Sequence, residues 1–177
     1  MKHRTLLAGL FSLCFVTLFA QPGLQPSAQV RDAMQKIQFL EGRWAGAGWI
    51  QMGPKREEFV VSETGSFKAN GSVLMLEGLG RDAADTSVII HQALGFISYD
   101  QQNSKYLMRA FRADGNHVDA DFRVADDGSI LWGFMHPMAG QIRYTIRLDN
   151  GQWVESGEMS RDGQSWRPFL EMRLSRL

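Results

Sequence analysis

His117-Val118-Asp119-Ala120-Asp121-Phe122-Arg123-Val124 alternates without a break. Successive side chains of an extended strand point to opposite faces. Val118, Ala120, Phe122 and Val124 therefore share one side, and His117, Asp119, Asp121 and Arg123 the other. A strand written this way has one enclosed face and one wet face. Further on, Ile142, Tyr144, Ile146 and Leu148 oppose Arg143, Thr145 and Arg147 in the same rhythm. Between such runs stand Asn70-Gly71, Asp114-Gly115, Asp127-Gly128, Asn150-Gly151 and Asp162-Gly163. These dipeptides accept positive φ and join neighbouring antiparallel strands. About ten such segments follow one another between residues 44 and 174, and no joint is long enough to hide a crossover helix. A meander of that length leaves two bare edges unless it closes. The expectation is an all-β, antiparallel, up-and-down barrel of about ten strands. Gly46, Gly48, Gly78 and Gly80 fall inside strand-like runs, where they permit the coiling that closure needs.

Ahead of the barrel the period changes. Val30, Met34, Ile37 and Leu40 recur at helical spacing and Ser27 can cap them, so one short N-terminal helix over 28–40 is expected, ended by Gly42. Residues 21–27 carry Pro22, Gly23 and Pro26 and read as a linker. Residues 1–20 read as a signal peptide. Lys2, His3 and Arg4 make a basic start, and Leu6–Ala20 is an apolar run too short to span a bilayer. The expected organisation is a leader at 1–20, a linker at 21–27 and one barrel domain at 28–177, exported to the periplasm or secreted. The single cysteine, Cys14, lies in the leader, so the domain relies on its core and not on a disulfide. Nineteen basic residues balance nineteen acidic ones. That balance argues against nucleic acid and against an anionic membrane surface as partners. No stable membrane insertion of the mature chain is expected, and the oligomeric state is left open.

Phe39-Leu40-Glu41-Gly42-Arg43-Trp44 opens the barrel and Glu171-Met172-Arg173-Leu174-Ser175-Arg176 ends it. The Gly-x-Trp entry resembles that of the calycin superfamily, which includes lipocalins and fatty-acid-binding proteins. The resemblance implies that Trp44 plugs a closed end and that Arg173 or Arg176 packs across it as a structural closure. A guanidinium stacks well on an indole, and its donors can cap strand-end carbonyls. Phe39–Trp44, Leu94-Gly95-Phe96-Ile97-Ser98-Tyr99-Asp100 and Ser160-Arg161-Asp162-Gly163-Gln164-Ser165-Trp166 together resemble a bacterial domain-of-unknown-function family with a lipocalin-like barrel. That resemblance implies a fold and not an activity. Nitrobindin-type barrels are similar in layout and hold haem through a histidine near the C-terminus. Here Glu171-Met172-Arg173 stand in that region and no histidine follows His136, so no cofactor is expected.

Four charged or titratable residues share a row with apolar neighbours. Glu77 lies among Val73, Met75 and Leu79; Arg109 between Leu107 and Phe111; Glu155 among Trp153, Gly157 and Met159; His91 between Ile89 and Ala93. If those rows face inward, the residues are the polar contacts of an otherwise apolar pocket, the composition that suits an amphiphile. Arg109 would match a carboxylate through two parallel hydrogen bonds. Otherwise Glu77 and Arg109 pair with each other or stand outside. Met135-His136-Pro137-Met138 offers thioethers and an imidazole of the kind that binds Cu(I), but three such ligands at one tip make a weak site; the cluster reads as a turn whose Met residues fill the barrel mouth, and no metal site is assigned. His117, Asp119 and Asp121 form an outer polar row, not a metal site. No catalytic triad, zinc motif or phosphate loop can be assembled. The expected function is non-enzymatic binding of a small apolar or amphiphilic molecule. The alternatives are a barrel isomerase or hydrolase with Glu77 or His91 as general base, or a solid barrel acting through its surface in an envelope assembly.

Overall fold

A computed structural model describes residues 25–177. The leader and all but the last three residues of the linker lie outside the described residues. Ten strands follow the short helix α1 (Ala28–Gln35): β1 (Gly42–Ile50), β2 (Glu57–Lys68), β3 (Val73–Asp82), β4 (Ile89–Asp100), β5 (Lys105–Arg112), β6 (His117–Val124), β7 (Ile130–His136), β8 (Gly140–Asp149), β9 (Gln152–Ser160) and β10 (Arg167–Arg176). Each pairs antiparallel with its sequence neighbour, and β1 pairs with β10 to close the ring. The sheet has no free edge, the state that the long run of hairpins demanded.

The turns follow their residues. At Asn150-Gly151 both φ angles are positive, 49° and 79°, which only such a pair adopts cheaply. At Asp162-Gly163 the aspartate instead accepts from the N–H groups of Gln164 and Ser165, at 2.8 and 2.7 Å, so its carboxylate builds the hairpin.

The helix is shorter than its spacing predicts. Ser27 Oγ accepts the Val30 N–H at 3.3 Å as an N-cap, but α1 stops at Gln35 and a tighter 3₁₀ turn covers Gln38–Leu40. The break turns Ile37 and Leu40 fully into the core beside Met34, Trp44, Leu74, Trp153 and Leu174. A continuous helix would keep only one stripe on the barrel. Tyr106 Oη donates to the Ala33 carbonyl at 2.6 Å and pins α1 across this end.

Arg176 completes the plug. Its guanidinium lies over the Trp44 ring and donates to the Glu41 and Phe39 carbonyls at 2.8 and 3.1 Å. Arg173, the other arginine considered, stands outside near Asp149 and Glu171. The opposite end carries the β1–β2, β3–β4, β5–β6, β7–β8 and β9–β10 loops. A bulge between Pro168 and Leu170 turns Phe169 into the interior there, against Tyr144.

Candidate functional site: a buried carboxyl pair and a cavity at the β6 seams

Residues paired across a sheet share a face, so the register assigns every side chain. Trp44 pairs with Glu63 and Glu63 with Gly78; Ile146 pairs with Glu155 and Glu155 with Met172. Both glutamates therefore project into the barrel, and they keep only 9 % and 6 % of their surface accessible. Glu63 occupies the space left by Gly78, where an added Cβ would stand 2.6 Å from its Oε1. Glu155 Oε1 accepts the Trp132 indole N–H at 3.3 Å.

Burial, and then the nearby charge of Glu155, push the Glu63 carboxyl up to about 8. Burial pushes Glu155 up to about 7 against the pull of the Trp132 and Trp153 indole N–H groups, which favour its anion. The Trp153 N–H nevertheless lies outside hydrogen-bond geometry, and Trp44 Nε1 is likewise buried without an acceptor. The Trp44 and Trp153 rings meet edge-on at 5.9 Å. Trp132 stacks flat on Tyr144 at 3.9 Å, and burial beside Glu155 holds the Tyr144 hydroxyl above its usual range. Around Glu155 and Glu63 the interior thus combines two acids with raised proton affinity, three indoles and the Tyr144 phenol.

The sequence-nominated residues divide. Glu155 points inward. His91 also has interior parity, opposite Gly80 at the open rim. It keeps contact with solvent although wall atoms crowd it; that crowding, and then the Arg112 cation, depress its imidazole below the usual value. Glu77 and Arg109 do not project inward. Glu77 is exposed on the outer face of β3, because the inward row is Leu74, Leu76, Gly78 and Gly80. Arg109 is on the outer face of β5 and makes two 2.6 Å bonds to Asp119. The two do not pair with each other. His136 uses Nδ1 to accept the Met138 and Ala139 N–H groups, so its imidazole shapes the turn. Among the described residues no group of three His, Cys, Asp or Glu side chains is placed to hold a metal.

The wall is weakest at β6. It pairs with β5 only over Met108–Phe111 and with β7 only over Ile130–Gly133. A cavity of about 1220 Å³ lies along these two seams. Phe96, Leu107, Arg109, Met135 and Arg143 line it from outward rows, Trp166 from the β9–β10 loop, and Phe122, Trp132 and Phe134 from inward rows. Trp132 is the common wall: it lines the cavity and its N–H reaches Glu155.

No family model matches the chain, and no curated protein does. Solved structures do. Rv2717c from M. tuberculosis superposes with a TM-score of 0.61 at 19% identity, over 82% of this chain and 97% of that one. The S-type phycobiliprotein lyase CPES from Guillardia theta gives 0.60 at 9% identity, over 86% and 98%. The fold is a lipocalin-like barrel.

Within that lipocalin-like barrel, Glu63 is the residue that reading the sequence missed. Its signal was present. Phe59, Val61, Gly65 and Phe67 alternate cleanly with Val60, Ser62, Thr64 and Ser66, and Glu63 is the single charge in the apolar row.

Proposed function

We propose that this barrel holds a small, mainly apolar or amphiphilic molecule without transforming it. The observation that carries the reading is the seam cavity. It is an open groove of about 1220 Å³, ample for a drug-sized ligand, with Lys105, Arg109, Asp119, Asp121, Arg123 and Arg143 set among its apolar lining. Met108, Phe122, Leu131, Trp132 and Phe134 offer apolar surface, and Arg109, Asp119 and Arg143 supply polar contacts. The occurrence of the same barrel in a phycobiliprotein lyase supports a role in handling a ligand. The motif resemblance at Phe39–Trp44, Leu94–Asp100 and Ser160–Trp166 supports membership of the bacterial family of unknown function. The basic start and apolar run of residues 1–20 support export.

A second reading, proton transfer, draws on Glu155, whose proton affinity sits near neutrality as a general base requires. It replaces Glu77, which faces solvent, and leaves His91 at the rim as a weaker candidate.

Native mass spectrometry of the full chain, purified without denaturant from producing cells, tests the first reading. A non-covalent mass adduct released by organic solvent is expected. An apo mass, together with no saturable change in tryptophan fluorescence on titration with ten-carbon amphiphiles, would overturn it.

A further inference from the structure

Two acids are buried in this core and no cation accompanies either. Glu63 makes no hydrogen bond, Glu155 makes one, and neither forms an ion pair among the described residues. The elements around them present Trp44 from β1, Gly78 from β3, Trp132 from β7, Tyr144 and Ile146 from β8, and Met172 from β10. The only other ionisable group in that set is Tyr144. Burying a carboxylate without a counter-charge is strongly unfavourable, and a low-dielectric site magnifies the attraction to any cation that enters. Indole faces add to that attraction. The two glutamates keep 9 % and 6 % of their residue surface accessible.

We propose that the Glu63–Glu155 pair is the recognition site for the ammonium end of an organic cation whose apolar body lies along the aromatic interior. This rests on the binding reading above, through Trp132, which lines the seam cavity and donates to Glu155, and names its ligand class. An inorganic divalent ion fits poorly, because two carboxyls stand without a third metal-ligating side chain. A carboxylate ligand meets like charge. An ammonium group supplies donors to Glu63, which has none, and to Glu155, which has only the Trp132 N–H, as charge-assisted hydrogen bonds. The proton held by the pair leaves as the cation arrives, so binding releases protons to the buffer.

The test titrates the full chain at pH 8 with n-decylammonium, n-decanol and n-decanoate, by calorimetry and tryptophan fluorescence. Decylammonium should bind at least about tenfold more tightly than decanol, with decanoate weakest. Its apparent enthalpy should change with the ionisation heat of the buffer. In the Glu63→Gln/Glu155→Gln double variant the ammonium-to-alcohol affinity ratio should fall to about one; Glu155→Gln alone serves if the double variant folds poorly. Decanol bound as well as decylammonium, or a preference that survives both substitutions, would overturn the cation inference and leave the seam-cavity reading standing. Binding of none of the three would overturn both.

Discussion

The Arg176 guanidinium carbon lies 4.4 Å from the centroid of the Trp44 ring, while its two terminal nitrogens reach the Glu41 and Phe39 carbonyls. One side chain thus covers the plug and ties the segment before β1 to β10. Arg176→Ala should lower unfolding free energy by about 1–3 kcal/mol, from the lost cation–π contact and two charge-assisted bonds. Arg173→Ala should change it by less than about 0.5 kcal/mol, as surface ion pairs do. Urea unfolding of both variants checks the pair. Equal losses would mean that the closure role is shared.

The core acids make stability fall as pH rises. Both carboxyls have native proton affinities raised above the ordinary 4.5, to about 8 for Glu63 and about 7 for Glu155. Below about 4.5 they are protonated, native or unfolded, and contribute no penalty. Between there and pH 7–8 the unfolded chain has released protons that the native state still holds, so each step up in pH favours unfolding until the native groups ionise too. Glu63→Gln/Glu155→Gln should therefore be the more stable protein at pH 8, by about 1–3 kcal/mol per group, and should show a flatter profile between pH 5 and 8. Denaturation midpoints at four pH values measure this.

Ring closure leaves no room at Gly46. A Cβ there would strike the Arg173 carbonyl of β10. Gly46→Ala should cost more than about 2 kcal/mol or prevent folding, because backbone cannot step aside as a flexible side chain can. Gly53, which has open space around it, is the control and should tolerate alanine within about 0.5 kcal/mol. Thermal melts of the two variants decide.

Arg109 is held by Asp119 at the edge of the seam cavity. Asp119→Asn should leave folding within about 1 kcal/mol of the parent, since the pair is exposed. It should also free the guanidinium for an anionic ligand group. Decanoate affinity should rise in Asp119→Asn and not in Asp119→Asn/Arg109→Gln; titration calorimetry reads the difference.

Much of the barrel was legible because one rule repeated. In β6 and β8 apolar and polar residues alternate without exception, and the face assignments follow. β3 defeated the rule. Val73, Met75 and Leu79 form one apolar row and Leu74 and Leu76 another, so periodicity could not choose between them. Packing chose the row ending in Gly78 and Gly80; at Gly78 the Glu63 carboxylate stands where a side chain would. The same ambiguity misplaced Arg109: Leu107 and Phe111 look like core, yet Leu107 lines the seam groove and Phe111 meets Phe96 on the outer face, and Tyr106, Met108 and Ala110 face inward. Glu155 was readable from its apolar row. Its relation to Glu63 was not, because the two strands are far apart in the chain and only closure brings them together.

That closure also sets a timetable for biogenesis. The β1 edge is satisfied by β10, the last strand of the ring to emerge from the ribosome, with Trp44 opposite Arg176. Until β10 arrives, a nascent chain carries an open template for pairing with its neighbours. Contacts spanning nearly the whole domain also make for slow folding. A chaperone that shields β1 during that interval would do more for the yield of this protein than any strengthening of its finished core.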